Sequence, residues 1–160
     1  MMTSNTTPQD SIREMAARWL DAIKAKDREG VLAMYSPSIR SFDVIFAQQV
    51  QGEEDYRQHW DRCMALCPGE PLFEMYDVTI TVEGQLAVTH GLFKCGCEDE
   101  NGEQKTGWMR GTLVWQQQGG EWLIVHEHLS NTYDPVSGDL ITDWQPDHVP
   151  VPLMPVHTHS

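Results

Sequence analysis

Apolar and polar positions alternate along two stretches of the C-terminal half, 108–116 and 122–129, which are rich in the β-branched and aromatic residues that favour strands. The two glycines between them suit a tight turn, so the pattern predicts a long β-hairpin. Successive side chains of a strand point to opposite faces, and one face of this hairpin is apolar except for a single glutamate. This face, which we predict to cover the core, carries Met109, Gly111, Leu113, Trp115, Leu123, Val125, Glu127 and Leu129. The other face carries Trp108, Arg110, Thr112, Val114, Trp122, Ile124, His126, His128 and Ser130.

Apolar residues near the N-terminus recur at the spacing of a helix. From position 12 they fall at i, i+3, i+4, i+7 and i+8, which predicts an amphipathic helix of about four turns capped by Asp10 or Ser11. A second helix is predicted over 28–35, before Pro37. A third opens at 51–54, where acidic residues complement the helix dipole.

Three further strands are predicted between and after these helices. Positions 39–46 have strand character and contain Asp43, and positions 72–82 and 86–97 form a hairpin that turns at 83–84. The resulting order is α-α-β-α-β-β-β-β. It predicts an α+β fold in which three N-terminal helices pack on one face of a curved, mixed but mostly antiparallel sheet.

The 160 residues suffice for one domain with a core of ordinary size. Residues 1–9 are predicted to be a disordered lead, and residues 10–132 to form the α+β domain. Residues 133–160 hold five of the nine prolines, so regular structure is not expected there, yet the segment is too apolar for a solvated tail. We expect it to pack on the surface of the domain or on a second subunit, with His157 and His159 frayed at its end.

Acidic residues outnumber basic residues by 24 to 11, and the formal net charge is −13. No basic stripe is present, so nucleic acid and anionic membranes are not expected partners. The sequence has no run of about 18 apolar residues, and its N-terminus lacks the order of a signal peptide, which predicts a cytoplasmic protein. In that compartment the four cysteines are expected to stay reduced, and their spacing does not match zinc knuckles.

Two segments resemble a known superfamily. Residues 17–60, which begin ARWLDAIKAKD, resemble the helix-helix-strand-helix opening of ketosteroid isomerases and SnoaL-like proteins. Residues 110–130, RGTLVWQQQGGEWLIVHEHLS, resemble the closing hairpin of calcium/calmodulin-dependent kinase association domains. All of these belong to the nuclear-transport-factor-like superfamily of cone-shaped α+β domains. The resemblance implies a pocket at the open end of the cone but no single function, because the fold hosts catalysts, binders and oligomerisation modules.

In an isomerase-like alignment, Asp43 falls where that family keeps its proton-shuttling aspartate. Trp19 stands where the isomerases have an oxyanion-binding tyrosine, and Gly111 stands where they have a second, protonated acid. An indole donates one hydrogen bond but is not an acid, so steroid isomerase activity is not expected. The arginines that association domains have near Leu113 and Leu129 are missing, so a kinase-hub role is not expected either.

Asp43 and Glu127 are the candidate catalytic residues, because each is a carboxylate with apolar neighbours in a predicted strand. Burial raises the pKa of a carboxyl group, and two facing carboxyls separate in pKa, which suits one base and one acid. We expect Asp43 to be the general base. In the alternative interpretation, Asp43 caps a turn and Glu127 pairs with Arg110 or Lys105 near the sheet edge.

Aromatic, apolar and basic residues of the helices and the hairpin are predicted to bind a small ligand. They are Trp19, Tyr56, Trp60, Met109, Arg110, Leu113, His126 and His128. Arg110 suits either an anionic ligand or an ion pair in a dimer interface. His126 and His128 point away from the core if the strand is regular. Two histidines at this spacing could provide half of a metal site, but we expect them instead to form hydrogen bonds within the protein or to a partner subunit. A bulge would swing either ring into the pocket. His59 is expected to be solvated.

The leading hypothesis is a cofactor-free isomerase, cyclase or dehydratase that acts on a small apolar carbonyl compound, without a bound metal. The alternatives are a non-catalytic binder of a small hydrophobic ligand and an oligomerisation module. Trp108, Trp122 and Ile124 would form a large apolar patch on the outer sheet face, so a homodimer through that face is predicted.

Overall fold

The computed structural model of the protein describes residues 6–154, which contain the helices α1 (Pro8–Lys24), α2 (Arg28–Leu32) and α3 (Glu53–Ala65). Thr7 caps α1: its hydroxyl accepts from the backbone N–H of Asp10 at 3.1 Å, and its own N–H donates to the Asp10 carboxylate at 3.3 Å. The predicted cap at Asp10 or Ser11 is therefore wrong. The ring of Pro8 suits a first helical position, so the helix begins inside the segment predicted to be disordered.

Six strands form one sheet within the described residues. They are β1 (Tyr35–Phe42), β2 (Val50–Gln51), β3 (Pro71–Glu83), β4 (Leu86–Glu98), β5 (Gln104–Gln118) and β6 (Glu121–Ser130). The order across the sheet is β2-β1-β6-β5-β4-β3, in which β1 and β6 run parallel and the other neighbours run antiparallel. This confirms the predicted α+β fold, with three helices on a curved, mostly antiparallel sheet.

One stripe of α1 forms the centre of the core. Ile12, Ala16, Trp19 and Ile23 recur at helical spacing and are at most 1% exposed. α1 packs chiefly on β3, at the edge of the sheet farthest from β1. The helix therefore covers one half of the inner sheet face, and α3 lies over the end of the sheet that contains β1 and β2.

β1 begins four residues earlier than predicted and ends at Phe42. Asp43 thus follows the strand instead of lying inside it, at the start of a loop that leads to β2. Pro37 cannot donate to a strand ladder, but the β1–β6 register shifts between Tyr35 and Arg40, which lets the strand run through the proline.

β6 contains one extra residue that reverses the alternation predicted for its first half. Val114 of β5 pairs with His126. The next residue of β5, Trp115, pairs with Ile124, so Val125 has no partner of its own. This is a β-bulge, in which two residues of one strand oppose one residue of the other.

The bulge turns Trp122 and Ile124 toward the core, where they are 6% and 0% exposed. The assignment of Leu123 and Val125 to the core face is wrong for the same reason. Two of the three residues in the apolar patch that predicted a homodimer are therefore buried within the chain, and Trp108 alone of the three stays on the outer face.

Gly111 in β5 leaves room for the ring of Phe93 in β4. A Cβ atom at position 111 would lie 2.7 Å from the Phe93 Cζ atom, well inside contact distance. At Gly107, four residues earlier in the same strand, a Cβ would meet no atom within 4 Å. The glycine found where the isomerases have an acid is therefore a packing requirement of this core.

Cys67 and Cys97 form a disulfide with a Cα–Cα distance of 5.7 Å, so the expectation of four reduced cysteines is wrong. The bond joins the chain just after α3 to the end of β4, across a sequence separation of 30 residues. Cys63 and Cys95 are free thiols. Spacing in the sequence does not show this pairing, because the tertiary fold brings the two segments together.

The segment after β6 returns to the domain and lies along the edge of β3. Leu153 donates its backbone N–H to the Met75 carbonyl at 3.0 Å, and its own carbonyl accepts from the Arg13 guanidinium at 2.6 Å. Asp77 binds Val151 through both backbone and side chain. Residues 155–160, and with them His157 and His159, lie outside the described residues, as do residues 1–5. Among residues 6–154, no helix is long and apolar enough to cross a membrane.

Candidate functional site

An apolar cavity of about 300 Å³ lies between α1, α3, the loop after β1 and the inner face of the sheet. This volume is at the lower end of those found for small-molecule sites. Six residues predicted to act on or bind a ligand line it: Trp19, Asp43, Tyr56, Trp60, Met109 and Glu127. Most of the remaining wall is hydrophobic and includes Ile23, Val44, Ile45, Met64, Leu66, Leu72, Phe73 and Leu129.

Four other residues predicted to bind the ligand do not line this cavity. Leu113 is fully buried in the core, and Arg110 and His128 are exposed on the outer sheet face. His126 donates its Nδ1–H to the Arg40 carbonyl at 2.7 Å. The bulge precedes the histidines, so they keep the outward direction that a regular strand gives them.

Asp43 and His59 form the main polar contact in the cavity wall. The Oδ2 atom of Asp43 lies 2.7 Å from Nε2 of His59, and Oδ1 accepts from the backbone N–H of Val44 at 2.7 Å. The two side chains are 12% and 2% exposed. Asp43 directly follows the last residue of β1 and therefore lies at the rim of the sheet. His59 lies on α3 and contacts Asp43 in the cavity wall.

The expectation that His59 is solvated is wrong, because His59 is one of two buried residues of α3, with Tyr56 as the other. Their i, i+3 spacing places both on the same face of the helix. That spacing is present in the sequence, but α3 carries many charged residues, so the sequence does not show clearly which face of the helix packs inward.

The hydrogen bond that His59 donates to Asp43 raises the pKa of His59 to about 9, and a contact with Cys63 adds to this effect while burial opposes it. Since that pKa lies above 7, His59 is an imidazolium at neutral pH. The pair is then a nearly buried ion pair whose Nε2–H donates to the carboxylate.

Glu127 is 1% exposed and accepts hydrogen bonds from three hydroxyl groups. The donors are Tyr35 at 2.8 Å, Ser41 at 2.8 Å and Tyr56 at 2.5 Å. Burial raises the pKa of Glu127, the Tyr56 hydrogen bond opposes that rise, and the charge of Asp43 adds to it. Burial and the Glu127 charge in turn raise the pKa of both tyrosines well above the usual value, which keeps them neutral donors.

The alternative partners considered for Glu127 are wrong. Arg110 is on the opposite face of the sheet, and Lys105 lies 4.0 Å from Asp99. The inward direction of Glu127, its burial and its place in the wall agree with the strand pattern. Its hydroxyl partners come from β1 and α3, which are distant in sequence and are brought close by the fold.

Two buried nitrogen atoms beside the cavity have no hydrogen-bond partner among the described residues: Nε1 of Trp19 and Nδ1 of His59. Buried polar groups are nearly always paired, and an unpaired one costs about 1–3 kcal/mol. Both residues line the cavity, so a hydrogen-bond acceptor inside it would have two donors at hand.

All four cysteines also lie in the wall, where the disulfide joins Cys67 to Cys97. Burial raises the pKa of the free Cys95 thiol well above its usual value. Within residues 6–154, no three His, Cys, Asp or Glu side chains are grouped so that they could hold a metal ion.

Comparison with known proteins shows which family this chain resembles in sequence and fold. The family model of the SnoaL-like domain matches residues 12–134. An NTF2-like protein of unknown function from Pseudomonas putida KT2440 is 36% identical with a TM-score of 0.79, over 86% of this chain and 96% of that one. The association domain of C. elegans CaMKII is 25% identical with a TM-score of 0.61, over 74% of this chain and 92% of that one.

A candidate dehydratase of the NTF2-like family from Streptomyces avermitilis is 14% identical with a TM-score of 0.69, over 78% of this chain and 96% of that one. At that identity the likeness concerns the fold alone. No protein among those with curated functions matches the chain. The family match spans most of α1, all of α2 and α3 and the whole sheet, including Asp43, His59 and Glu127. The chain therefore belongs to the SnoaL-like domain family of the NTF2-like superfamily.

Proposed function

We propose that the protein is a cofactor-independent acid–base catalyst that removes a proton from the carbon next to the carbonyl of a small apolar compound. Isomerisation, cyclisation and dehydration all begin with this step. The observation that carries the proposal is the Asp43–His59 ion pair, 2.7 Å between Oδ2 and Nε2, in the wall of an otherwise apolar cavity. An ion pair shielded from water and open to a ligand is an arrangement that enzymes use for proton transfer.

Asp43 is the general base in this scheme. Each of its oxygens accepts one hydrogen bond, from His59 or from Val44, and each keeps a lone pair for a proton. The cation on His59 holds the carboxylate in place and balances the charge that moves onto the substrate as the proton leaves. The apolar wall excludes water, which strengthens these electrostatic effects.

In this scheme the carbonyl oxygen of the substrate is the hydrogen-bond acceptor for the two unpaired N–H groups of the cavity. As the proton leaves carbon, negative charge develops on the carbonyl oxygen, and N–H groups that point at it lower the barrier. Trp19 Nε1 and His59 Nδ1 are the unpaired buried donors available for that oxygen. Trp19 thus supplies a hydrogen bond where the isomerases have a tyrosine, without the acidity of a phenol.

Glu127 supports the site through Tyr56. Both oxygens of its carboxylate are occupied by hydroxyl donors, so it serves to position Tyr56, whose ring lines the cavity next to His59. In this scheme Glu127 positions Tyr56 and does not act as the second catalytic acid, although its raised pKa would suit that role.

The proposal is tested by hydrogen exchange, which needs no knowledge of the natural substrate. The protein is incubated in D2O with a panel of small cyclic and acyclic ketones, and loss of the signals of the α-protons is followed by NMR. We expect protein-dependent exchange for at least one compound. Asp43→Asn should lower that rate by about 100-fold or more, since a general base contributes 10²–10⁴-fold.

Asp55→Asn is the matched control, because Asp55 is an exposed aspartate in the first turn of α3 with no role in the cavity. This variant should exchange at the wild-type rate. Unchanged exchange in Asp43→Asn would refute the assignment of the base. Binding of a ketone by the wild type without any exchange would refute catalysis and favour a non-catalytic ligand carrier.

A further inference from the structure

Arg110 is the one basic side chain of the described residues that has no partner. The other ten lysines and arginines of the chain each make a hydrogen bond, an ion pair or a ring contact. The chain has 24 acidic side chains for 11 basic ones, so acidic partners are abundant. The guanidinium of Arg110 is nevertheless exposed and unpaired on the outer face of β5.

A second cavity, of about 360 Å³, lies beside this guanidinium. It forms where the segment after β6 folds across the outer sheet face, so that Trp144 of that segment meets Trp108 of β5 with ring centres 6.2 Å apart. Its apolar lining also includes Leu92 and Ile141. Among residues 6–154, Met109 alone lines both this cavity and the candidate functional site on the other side of the sheet.

The cavity opens past Arg110 into a shallow groove with further hydrogen-bonding groups. His90, Thr112, His128 and Ser130 line that groove. Asp77 also lines the groove, where its carboxylate accepts from His148 at 2.6 Å and from the Val151 N–H at 2.9 Å and makes no ion pair with Arg110. The polar end of the concavity therefore offers donors.

We propose that this second cavity binds a monocarboxylate with a flat apolar body, such as an aromatic acid. The body packs against Trp108 and Trp144, whose rings meet edge to face, and the carboxylate binds the planar fork of Arg110, which matches its geometry. A single cation and a net charge of −13 favour one negative charge over a phosphate dianion. This site is independent of the acid–base function proposed above, because it lies on the opposite face of the sheet.

The six tryptophans provide the test. A 15N-labelled sample gives one indole N–H signal for each of them, which single Trp→Phe variants assign. On titration with 2-naphthoate we expect the signals of Trp108 and Trp144 to shift. Arg110→Gln should weaken the binding at least about tenfold, the cost of losing a charge-assisted hydrogen bond. The neutral 2-naphthamide should bind the wild type more weakly by a similar factor.

Arg62→Gln is the matched control, because Arg62 is also an exposed arginine but lies on α3, away from this cavity. It should leave the affinity unchanged. Shifts of Trp19 and Trp60 alone would show that naphthoate enters the first cavity and would overturn the proposal. So would equal affinity of the wild type and Arg110→Gln, or the absence of any shift at millimolar naphthoate.

Discussion

The Asp43–His59 ion pair makes the stability of the protein depend on pH, and one substitution removes that dependence. The pKa of His59 is about 9 in the folded chain and has its ordinary value of 6.5 when the chain unfolds. The folded state therefore binds the proton more tightly. Its contribution to stability is complete below pH 6.5 and is lost as the pH rises through 9.

These two values set the size of the effect. At pH 7 the difference in proton affinity is worth about 2.5 kcal/mol of unfolding free energy, and at pH 10 it is close to zero. Asp43→Asn removes the negative charge and with it the largest cause of the raised pKa of His59. We therefore expect the variant to be less stable than the wild type at pH 7 by up to about 2.5 kcal/mol, which corresponds to a melting temperature lower by up to about 5–10 °C.

The assay is urea denaturation of both proteins at pH 7 and pH 10 without reductant, followed by tryptophan fluorescence. Titrating groups that the charge of Asp43 does not influence behave alike in both proteins, so their effects cancel in the difference. We expect the gap in stability to close at pH 10. A gap of the same size at both pH values would show that the charge of the pair is not its cause. Asp55→Asn removes only a favourable interaction with the helix dipole and should show the same small gap, below about 1 kcal/mol, at both pH values.

Three further substitutions or treatments test the packing around the site by urea denaturation. Glu127→Gln should keep or raise the stability at pH 8, because burial of the carboxylate raises its pKa and disfavours its charged form. Glu127→Leu should lose about 2–5 kcal/mol of stability, because it leaves hydroxyl donors unpaired. Equal stabilities of the two variants would contradict this. Gly111→Ala should cost about 1–3 kcal/mol through a clash with an aromatic ring, and Gly107→Ala in the same strand should change stability by less than about 0.5 kcal/mol. Reduction of the Cys67–Cys97 bond should lower the stability by about 3–4 kcal/mol, and a variant with both cysteines changed to serine should not respond to the reductant.

Local patterns were enough to predict most of the architecture. The period of α1, the two hairpins and the inward direction of Glu127 follow from side-chain spacing, which short-range geometry fixes. Trp19 and Tyr56 were placed at the cavity for the same reason.

The features of the site that sequence reasoning missed depend on contacts between distant segments. The burial of His59 follows from the loop that brings Asp43 over α3, and the disulfide follows from the meeting of α3 with the end of β4. The bulge at Val125 depends on how β6 pairs with β5, and alternation within one strand does not contain that information. Tertiary pairing thus decided which polar groups meet in the site.

The extra residue of β6 affects how functional assignments can be carried between members of the family. A homologue whose last strand lacks the counterpart of Val125 would present the same inward row, including Glu127, from a strand one position shorter. Alignments should therefore carry a gap at the bulge. Without the gap, inward and outward side chains would exchange places on one side of it, and surface histidines would be compared with cavity carboxylates.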